Sequence, residues 1–429
     1  MRLQRKAPRP AAAGLCLLVL FSAATGAQAQ QETLSVEQAV AEALRNNLSL
    51  VAERANISVA QARILTARLR PNPVVSIDAD HLDLLGTGFS EINGAGPQEY
   101  SVRTDFTLER GGKRARRIEV AETARSAVEM QFREAVRQVV LEVQNAAVDV
   151  LLAKANLELA RENLASASRI VEINAARLRA GDIPEVELMR SRVAAMDASN
   201  TVRRAELAVR LARMRLAPLL GRGPAAPLPD IQGELRRDPD VPPLPDLAAQ
   251  ALKARPDLEA LRRELQRAGA ELRLQQSQAK VDFVVGSEYR RQQAVIAKGN
   301  MLGFFVSAEL PVFNRNQGEI ERARQELRQT EARLRALETS IWAEVQRAYE
   351  DWRTSRDLLN ALEKQMLEEA RQVRDVIEYS YSRGEATLLE LLDAQRAFNE
   401  TRQVLNEARA EHARSLYLLE AVSGKEVLP

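Results

Sequence analysis

The chain has 429 residues, with 61 Lys and Arg against 59 Asp and Glu, 28% charged side chains, two His and a single Cys. Charges of both signs in near balance argue against a nucleic-acid partner, and so few thiols and imidazoles exclude a disulfide framework or a Cys/His metal cluster. Past the first 30 residues there is no run of 18 apolar residues, so no helix is expected to span a membrane.

In chain order, residues 1–29 read as a secretory signal peptide. Arg2, Arg5, Lys6 and Arg9 precede an apolar stretch from Ala11 to Ala24, and Ala27-Gln28-Ala29 supplies an A-x-A cleavage site. Cys16 lies inside the apolar stretch after Leu15, not at the cleavage point after a small residue, so lipidation is not expected. Cleavage removes four cations, moving the formal charge from +2 to −2, and leaves no thiol for a disulfide, a metal or a nucleophile. An exported chain without an apolar helix is periplasmic, secreted, or held in an outer membrane by β-strands.

Residues 33–70, 113–180, 185–217, 319–383 and 385–423 contain neither Gly nor Pro. As one helix, 113–180 would be about 100 Å long, several times the ordinary length. Its apolar stripe runs through Val128, Phe132, Val136, Val139, Val143 and Ala146 and on to Val171 in steps of 3 or 4, as coiled-coil-like packing requires. A second stripe through Val140, Ala147 and Leu151 widens the face, so neighbours are expected on two sides, as in a closed ring. Trp342 and Trp352 read as packing anchors on the second long helix.

Four segments alternate with period 2. Val75, Ile77 and Ala79 oppose Ser76, Asp78 and Asp80; Tyr100, Val102, Phe106 and Leu108 oppose Ser101, Arg103, Asp105 and Glu109. Val281, Phe283, Val285 and Tyr289 oppose Asp282, Glu288 and Arg290, and 302–312 puts Leu302, Phe304, Val306, Leu310 and Val312 on one face. The expected spans are 74–81, 100–109, 281–289 and 302–312, with 82–99 and 290–300 as loops outside. Eight of the 17 aromatics lie in or beside these strands, which suits girdles at a membrane interface.

The chain repeats itself. EALRNNLSLVAERANISVAQARI at 42–64 aligns with QALKARPDLEALRRELQRAGAEL at 250–272, Leu44 with Leu252 (252 − 44 = 208), and Gly181 aligns with Gly384 (384 − 181 = 203). Each copy reads helix, hairpin, very long helix, tight corner, returning helix. The divisions are signal peptide 1–29, first repeat 30–217, Pro-rich linker 218–245, second repeat 246–423 and C-terminal tail 424–429. Two hairpins of two strands cannot close a barrel, and a bilayer tolerates no open sheet edge. If the strands span a membrane, several copies must pool them.

The corner motifs RLRAGDIPEVELMRSRVA at 177–194 and YSRGEATLLELLDAQRAF at 381–398, the ELPVFNRNQGEI run at 309–320 and the duplication itself resemble the TolC-like outer-membrane efflux channel family. FNRNQGEIERAR and LLELLDAQR are most similar to its cobalt–zinc–cadmium and copper–silver resistance branch. The resemblance covers nearly the whole chain after the signal. It implies a mainly α protein with membrane β. Four strands per chain would join a trimeric outer-membrane β-barrel, continuous with a long periplasmic α-helical barrel of coiled-coil hairpins. It also implies a homotrimer in outer-membrane lipid, docked to a periplasmic adaptor (membrane fusion) protein and an inner-membrane RND pump, and exporting substrate with no cofactor of its own.

Gly181 and Gly384 then end helices at the turnarounds of the hairpin tips, with Asp182 and Glu385 near the start of each returning helix, where a negative charge complements its dipole. These four residues are the candidate tip and adaptor contact. The resemblance places Glu390 and Asp393 at a periplasmic constriction as cation-binding acids, with Glu187 as the first-copy equivalent of Glu390. It assigns Tyr381 to an inter-helix hydrogen bond holding the tip closed, with Glu187 as a candidate acceptor. Residue type alone also allows a solvated helix face for the acids. The family's arginine two residues past the glycine is Ala386 here, leaving Arg190 or Arg383 to replace it.

His81 and His412 are too far apart in sequence and too few to suggest a metal site, and no catalytic constellation is present. The competing readings are a channel for drug efflux or type I protein secretion, and a periplasmic coiled-coil adaptor. An adaptor would need a Gly-rich β module between its helical arms and would not carry the unit twice.

Overall fold

The computed structural model describes residues 33–86, 88, 97–238, 240–293 and 298–425. The signal peptide and the tip of the first external loop lie outside the described residues.

Short strand β1 (Thr33–Leu34) leads into α1 (Val36–Asn46) and α2 (Leu48–Arg68), which meet at a bend on Asn47. The hairpin β2 (Val74–Asp80) and β3 (Glu99–Leu108) feeds α3 (Lys113–Ala180), an unbroken helix of 68 residues, and α4 (Glu185–Leu219) returns beside it. After β4 (Asp230–Ile231), the second copy supplies α5 (Leu244–Ala254), α6 (Pro256–Gln278), β5 (Phe283–Gln293) and β6 (Lys298–Ala308). It ends with α7 (Gln317–Ala361), a π-helical turn at Leu362–Met366, α8 (Leu367–Arg383) and α9 (Leu388–Val422).

The duplication holds at the level of single residues. The α1–α2 and α5–α6 pairs start 208 positions apart (244 − 36 and 256 − 48), and α4 and α9 start 203 apart (388 − 185), each 35 residues long. The two bends are held by different chemistry. Asn47 caps α2, its Oδ1 accepting from Ser49 N and Leu50 N while Nδ2 donates to Leu219 O at 2.8 Å. Arg255, buried at the equivalent bend, pairs instead with Asp257 and Glu344, both at 2.6 Å. Gly221, in the left-handed region at φ 75, comes so close to the first bend that a Cβ there would lie 2.2 Å from Asn46 O.

The two hairpins join through β3 and β5 into one antiparallel sheet in the order β2-β3-β5-β6, leaving β2 and β6 as open edges. The sheet is inside out. Ile77, Leu302, Phe304 and Val306 are 67–77% exposed, whereas Ser101 and Glu288 on the opposite face are buried. That polar face carries a charge ladder, Arg103 to Asp105 at 2.9 Å and Arg290 to Glu288 at 2.8 Å and to Glu99 at 3.3 Å. Two expectations need correction. Residues 290–293 and 298–300 are strand, because Arg290, Arg291 and Gln292, polar enough to read as loop, pair with β3 and β6. The fourth strand stops at Ala308, three residues short of Pro311, which has no N–H for a ladder.

The helices form a layer. Near the sheet α2, α3, α6 and α7 pack side by side; farther away the order is α4, α3, α9 and α7/α8. A core surrounds the middle of α3, where Val136, Val140, Val143, Ala147 and Val150 meet Ala39, Leu216, Ile231 and Ala413. The parallel β1–β4 pair pins the linker there, and Asp230 is gripped by Lys154 at 3.2 Å and Arg213 at 2.7 Å. Trp352 is a core residue at 3% exposure; Trp342 is not, being 48% exposed on the open side of α7. No helix among the described residues is long and apolar enough to cross a membrane.

Candidate functional site

The two corners share one backbone solution. Gly181 (φ 82, ψ 13) and Gly384 (φ 79, ψ 13) close their helices in the left-handed region that residues with a Cβ avoid. Around Gly181, its own N–H donates to Leu178 O at 3.0 Å and that of Asp182 to Arg177 O at 2.9 Å. Around Gly384 the equivalents run to Tyr381 O at 3.0 Å and from Glu385 to Ser380 O at 2.9 Å. This paired pattern satisfies the last carbonyls of α3 and α8. Gly181, Asp182, Gly384 and Glu385 are all exposed at the tip.

The returning helices begin differently. Pro184 is the N-cap of α4 and offers no side-chain bond. Thr387 caps α9 in a reciprocal box, Thr387 N donating to Glu390 Oε2 at 2.7 Å and Glu390 N to the Thr387 hydroxyl at 3.3 Å. The backbone N–H of Thr387, helped by its hydroxyl, holds the Glu390 carboxyl below the usual glutamate value. A raised value, expected for a ring of repelling acids, is therefore not what one chain gives on its own. The T-x-x-E spacing at 387–390 signals this capping role in the sequence. Glu390 and Asp393 are exposed three residues apart on α9, whereas Glu187 is half-buried with no side-chain partner among the described residues. Arg190 stands at the first-copy equivalent of Asp393 (393 − 203).

Tyr381 is buried at 4% exposure between the hairpins, against Ile170, Leu388 and Leu391. Its hydroxyl donates to Asn174 Oδ1 at 2.6 Å, so within the chain its partner is Asn174 of α3 and not Glu187. Asn174 is wholly buried, and its Nδ2 has no partner among the described residues. Arg177 sits over the Tyr381 ring at 5.3 Å and donates to the Tyr381 carbonyl at 3.3 Å, while Arg383 lies over Tyr379 at 4.5 Å. Two arginines thus stand at this corner, Arg177 against Tyr381 and Arg383 against Tyr379.

Above the corner the seam between α3 and α9 is polar. Asn399 donates to Asn163 at 2.8 Å and Asn406 to Asn156 at 3.0 Å, one heptad apart on each helix, with Arg402 paired to Glu162 and Arg414 to Asp149. Asparagine at seam positions fixes register at a cost in stability. The asparagines recur along α3 at 145, 156, 163 and 174, spacings of 11, 7 and 11 that keep them on one helical face. That repeat was the available signal for the seam.

His412 is buried on α9, its Nδ1 3.2 Å from the Ser355 hydroxyl, and burial, followed by Arg237, pushes its pKa down. His81 is exposed at the end of β2. Among the described residues no three His, Cys, Asp or Glu side chains come together to hold a metal ion.

The family model described as "Outer membrane efflux protein" matches residues 39–222 and 247–425. The cobalt-zinc-cadmium resistance protein CzcC of Cupriavidus metallidurans is 26% identical over 371 residues, covering 86% of this chain and 85% of that protein. The pyoverdine export outer membrane protein OpmQ of Pseudomonas putida is 25% identical over 388 residues, covering 84% and 80%. Among solved structures, CusC superposes with a TM-score of 0.75 at 20% identity, covering 91% of this chain and 92% of that one.

Proposed function

Because the chain belongs to the outer membrane efflux protein family, we propose that it is the outer-membrane conduit through which heavy-metal cations leave an inner-membrane RND-type pump and its periplasmic adaptor. The family fixes the coarser statement: an outer-membrane efflux channel with a large periplasmic helical part, transporting and not catalysing. One observation carries the assembly, namely that both layers end in unsatisfied edges. Among the described residues, the sheet leaves the outer edges of β2 and β6 without a partner strand. In the helical layer, α4 exposes Val186, Met189, Val193 and Met196 (50–66%) and α8 exposes Val373 and Val376 (56% and 62%). These stripes sit on opposite edges, so a ring closes when the α4 edge of one copy meets the α8 edge of the next. Three copies supply twelve strands and satisfy both layers at once.

In such a trimer the second corners converge on the axis. Glu390 and Asp393 line the constriction, with Glu187 beside them, Tyr381 ties the second hairpin to the first, and the exposed Gly181–Asp182 and Gly384–Glu385 tips meet the adaptor. Six carboxylates in a narrow lumen favour cations. The name of the CzcC relative supports a metal cargo; that of the OpmQ relative supports the second reading, a small organic chelator. A strain lacking the gene, with and without a plasmid copy, separates the two. Raised accumulation of cobalt, zinc or cadmium that the copy reverses is expected. Unchanged metal content with lost export of a siderophore would overturn the metal assignment.

A further inference from the structure

Positive charge is concentrated where the sheet meets the helices. The segments between strands and helices, taken with the end of α2 and the first turn of α3 (68–73, 109–117, 279–282 and 309–316), hold nine Lys and Arg against three acids, Glu109, Asp282 and Glu309, a net of +6 in a chain whose formal total is +2. The opposite ends of the strands with the segments that link them, 80–100 and 288–300, hold Arg290, Arg291 and Lys298 against Asp80, Asp83, Glu91, Glu99 and Glu288, a net of −2. Four of the cations, Arg70, Arg110, Lys280 and Arg315, are exposed and have no carboxylate partner among the described residues. The Arg110 guanidinium stands 4.9 Å over the Phe283 ring, whose strand face also carries Val285 and Tyr289, so this charge lies on the outward, apolar side of the sheet. Leu69, Leu310, Val312 and Phe313 are 61–92% exposed in the same belt.

We propose that this collar binds the headgroups of anionic phospholipids in the periplasmic leaflet of the outer membrane. Three features point to a lipid surface. The belt is continuous with the lipid-facing side of β5 and β6. Its apolar side chains reach the acyl boundary while the cations on long stems reach the headgroup level. Its charge complements a phosphate layer, and the net positive charge lies at one end of the strands only. Ion pairs take up four of the nine cations, Lys113 with Asp282, Arg117 with Glu109, Arg116 with Glu119 and Arg68 with Glu122, and leave Arg70, Arg110, Lys280 and Arg315 for the headgroups. The inference rests on the placement of the sheet in the membrane and is independent of the cargo.

The test uses the full protein extracted in mild detergent, with phosphatidylglycerol or phosphatidylcholine added and lipid adducts counted by native mass spectrometry. Retention of phosphatidylglycerol over phosphatidylcholine on the order of tenfold is expected, weakening as salt rises. The quadruple variant R70Q/R110Q/K280Q/R315Q should lose that preference, while the control R192Q/R203Q, two exposed arginines far along α4, should keep it. If the quadruple variant does not assemble, Arg110→Gln alone decides, and a partial loss is expected. Equal retention of the two lipids, a preference that survives the substitutions, or complete displacement of phosphatidylglycerol by millimolar inorganic phosphate would overturn the proposal.

Discussion

The two corners are the same bend built twice, and they differ in what holds them. Both turn on a left-handed glycine with the same pair of backbone bonds, and both send back a helix of 35 residues. The first corner ends there: its cap is Pro184, and the position matching Tyr381 is Leu178 (381 − 203). The second adds a capping box and a buried tyrosine tied to the first hairpin through Asn174, with Arg177 closing over it. Duplication preserved the backbone, and the side chains divided the labour. The second hairpin is thus tied to the first by polar contacts that the first corner lacks.

Cutting the fastening should have the largest effect. Tyr381→Phe leaves Asn174 buried without its donor and should cost about 1–3 kcal/mol at the tip, against a smaller cost for Leu178→Ala, half-exposed at the matching position. Protease accessibility of the 380–390 segment in the purified protein measures it. Because both polar groups are then removed, Tyr381→Phe combined with Asn174→Leu should recover much of the loss, which a double-mutant cycle reads directly.

The caps sharpen the contrast. Thr387→Val should destabilise the start of α9 by roughly 1 kcal/mol, whereas Pro184→Ala, at a position without a side-chain bond, should stay within about 0.5 kcal/mol. Hydrogen exchange of the first turn of each returning helix distinguishes them; equal protection loss at both would remove the asymmetry.

Charge comes next. The second corner presents Glu390 and Asp393 where the first presents Glu187 and Arg190. Glu390→Gln with Asp393→Asn should therefore lower cation selectivity several-fold in planar-bilayer recordings, and Glu187→Gln should change it little. The amides are chosen over alanine because the amide carbonyl introduced by Glu390→Gln can still accept from the Thr387 N–H, so a lost charge is not confused with a lost cap.

The smallest effect is a pH dependence at the far end of α9. Burial lowers the His412 pKa below its usual 6.5, so the unfolded chain binds the proton more tightly. Stability from this site is intact above about pH 6.5 and declines as pH falls below it. Thermal melts of His412→Gln should lose that part of the slope. Arg237, Asp238, Arg356 and Glu363 surround the imidazole and stay in place as the background.

Much of this was legible in the sequence. Gly- and Pro-free runs mark the long helices, the 208 and 203 offsets recur in the helix starts, and period 2 locates the strands. What the residues did not reveal depends on non-local register. Asn174 lies 207 positions from Tyr381, and nothing in either segment names the other. The π-helical turn at Leu362–Met366 sits in LEKQM, whose composition is that of ordinary helix; its Glu363 is held by Arg409 at 2.8 Å and Arg237 at 2.9 Å, contacts set by tertiary packing. The β1–β4 pair is two residues long, too short for any periodicity. Glu390 is the exception, since its cap was written in the local spacing.

In the proposed assembly one chain is a third of a channel, with two open edges that only further copies can satisfy. Multi-angle light scattering of the protein extracted in mild detergent, with the detergent mass subtracted, tests it most directly. A protein mass three times that of one chain is predicted, falling apart only on unfolding. A stable monomer that retains the four-stranded sheet would contradict it.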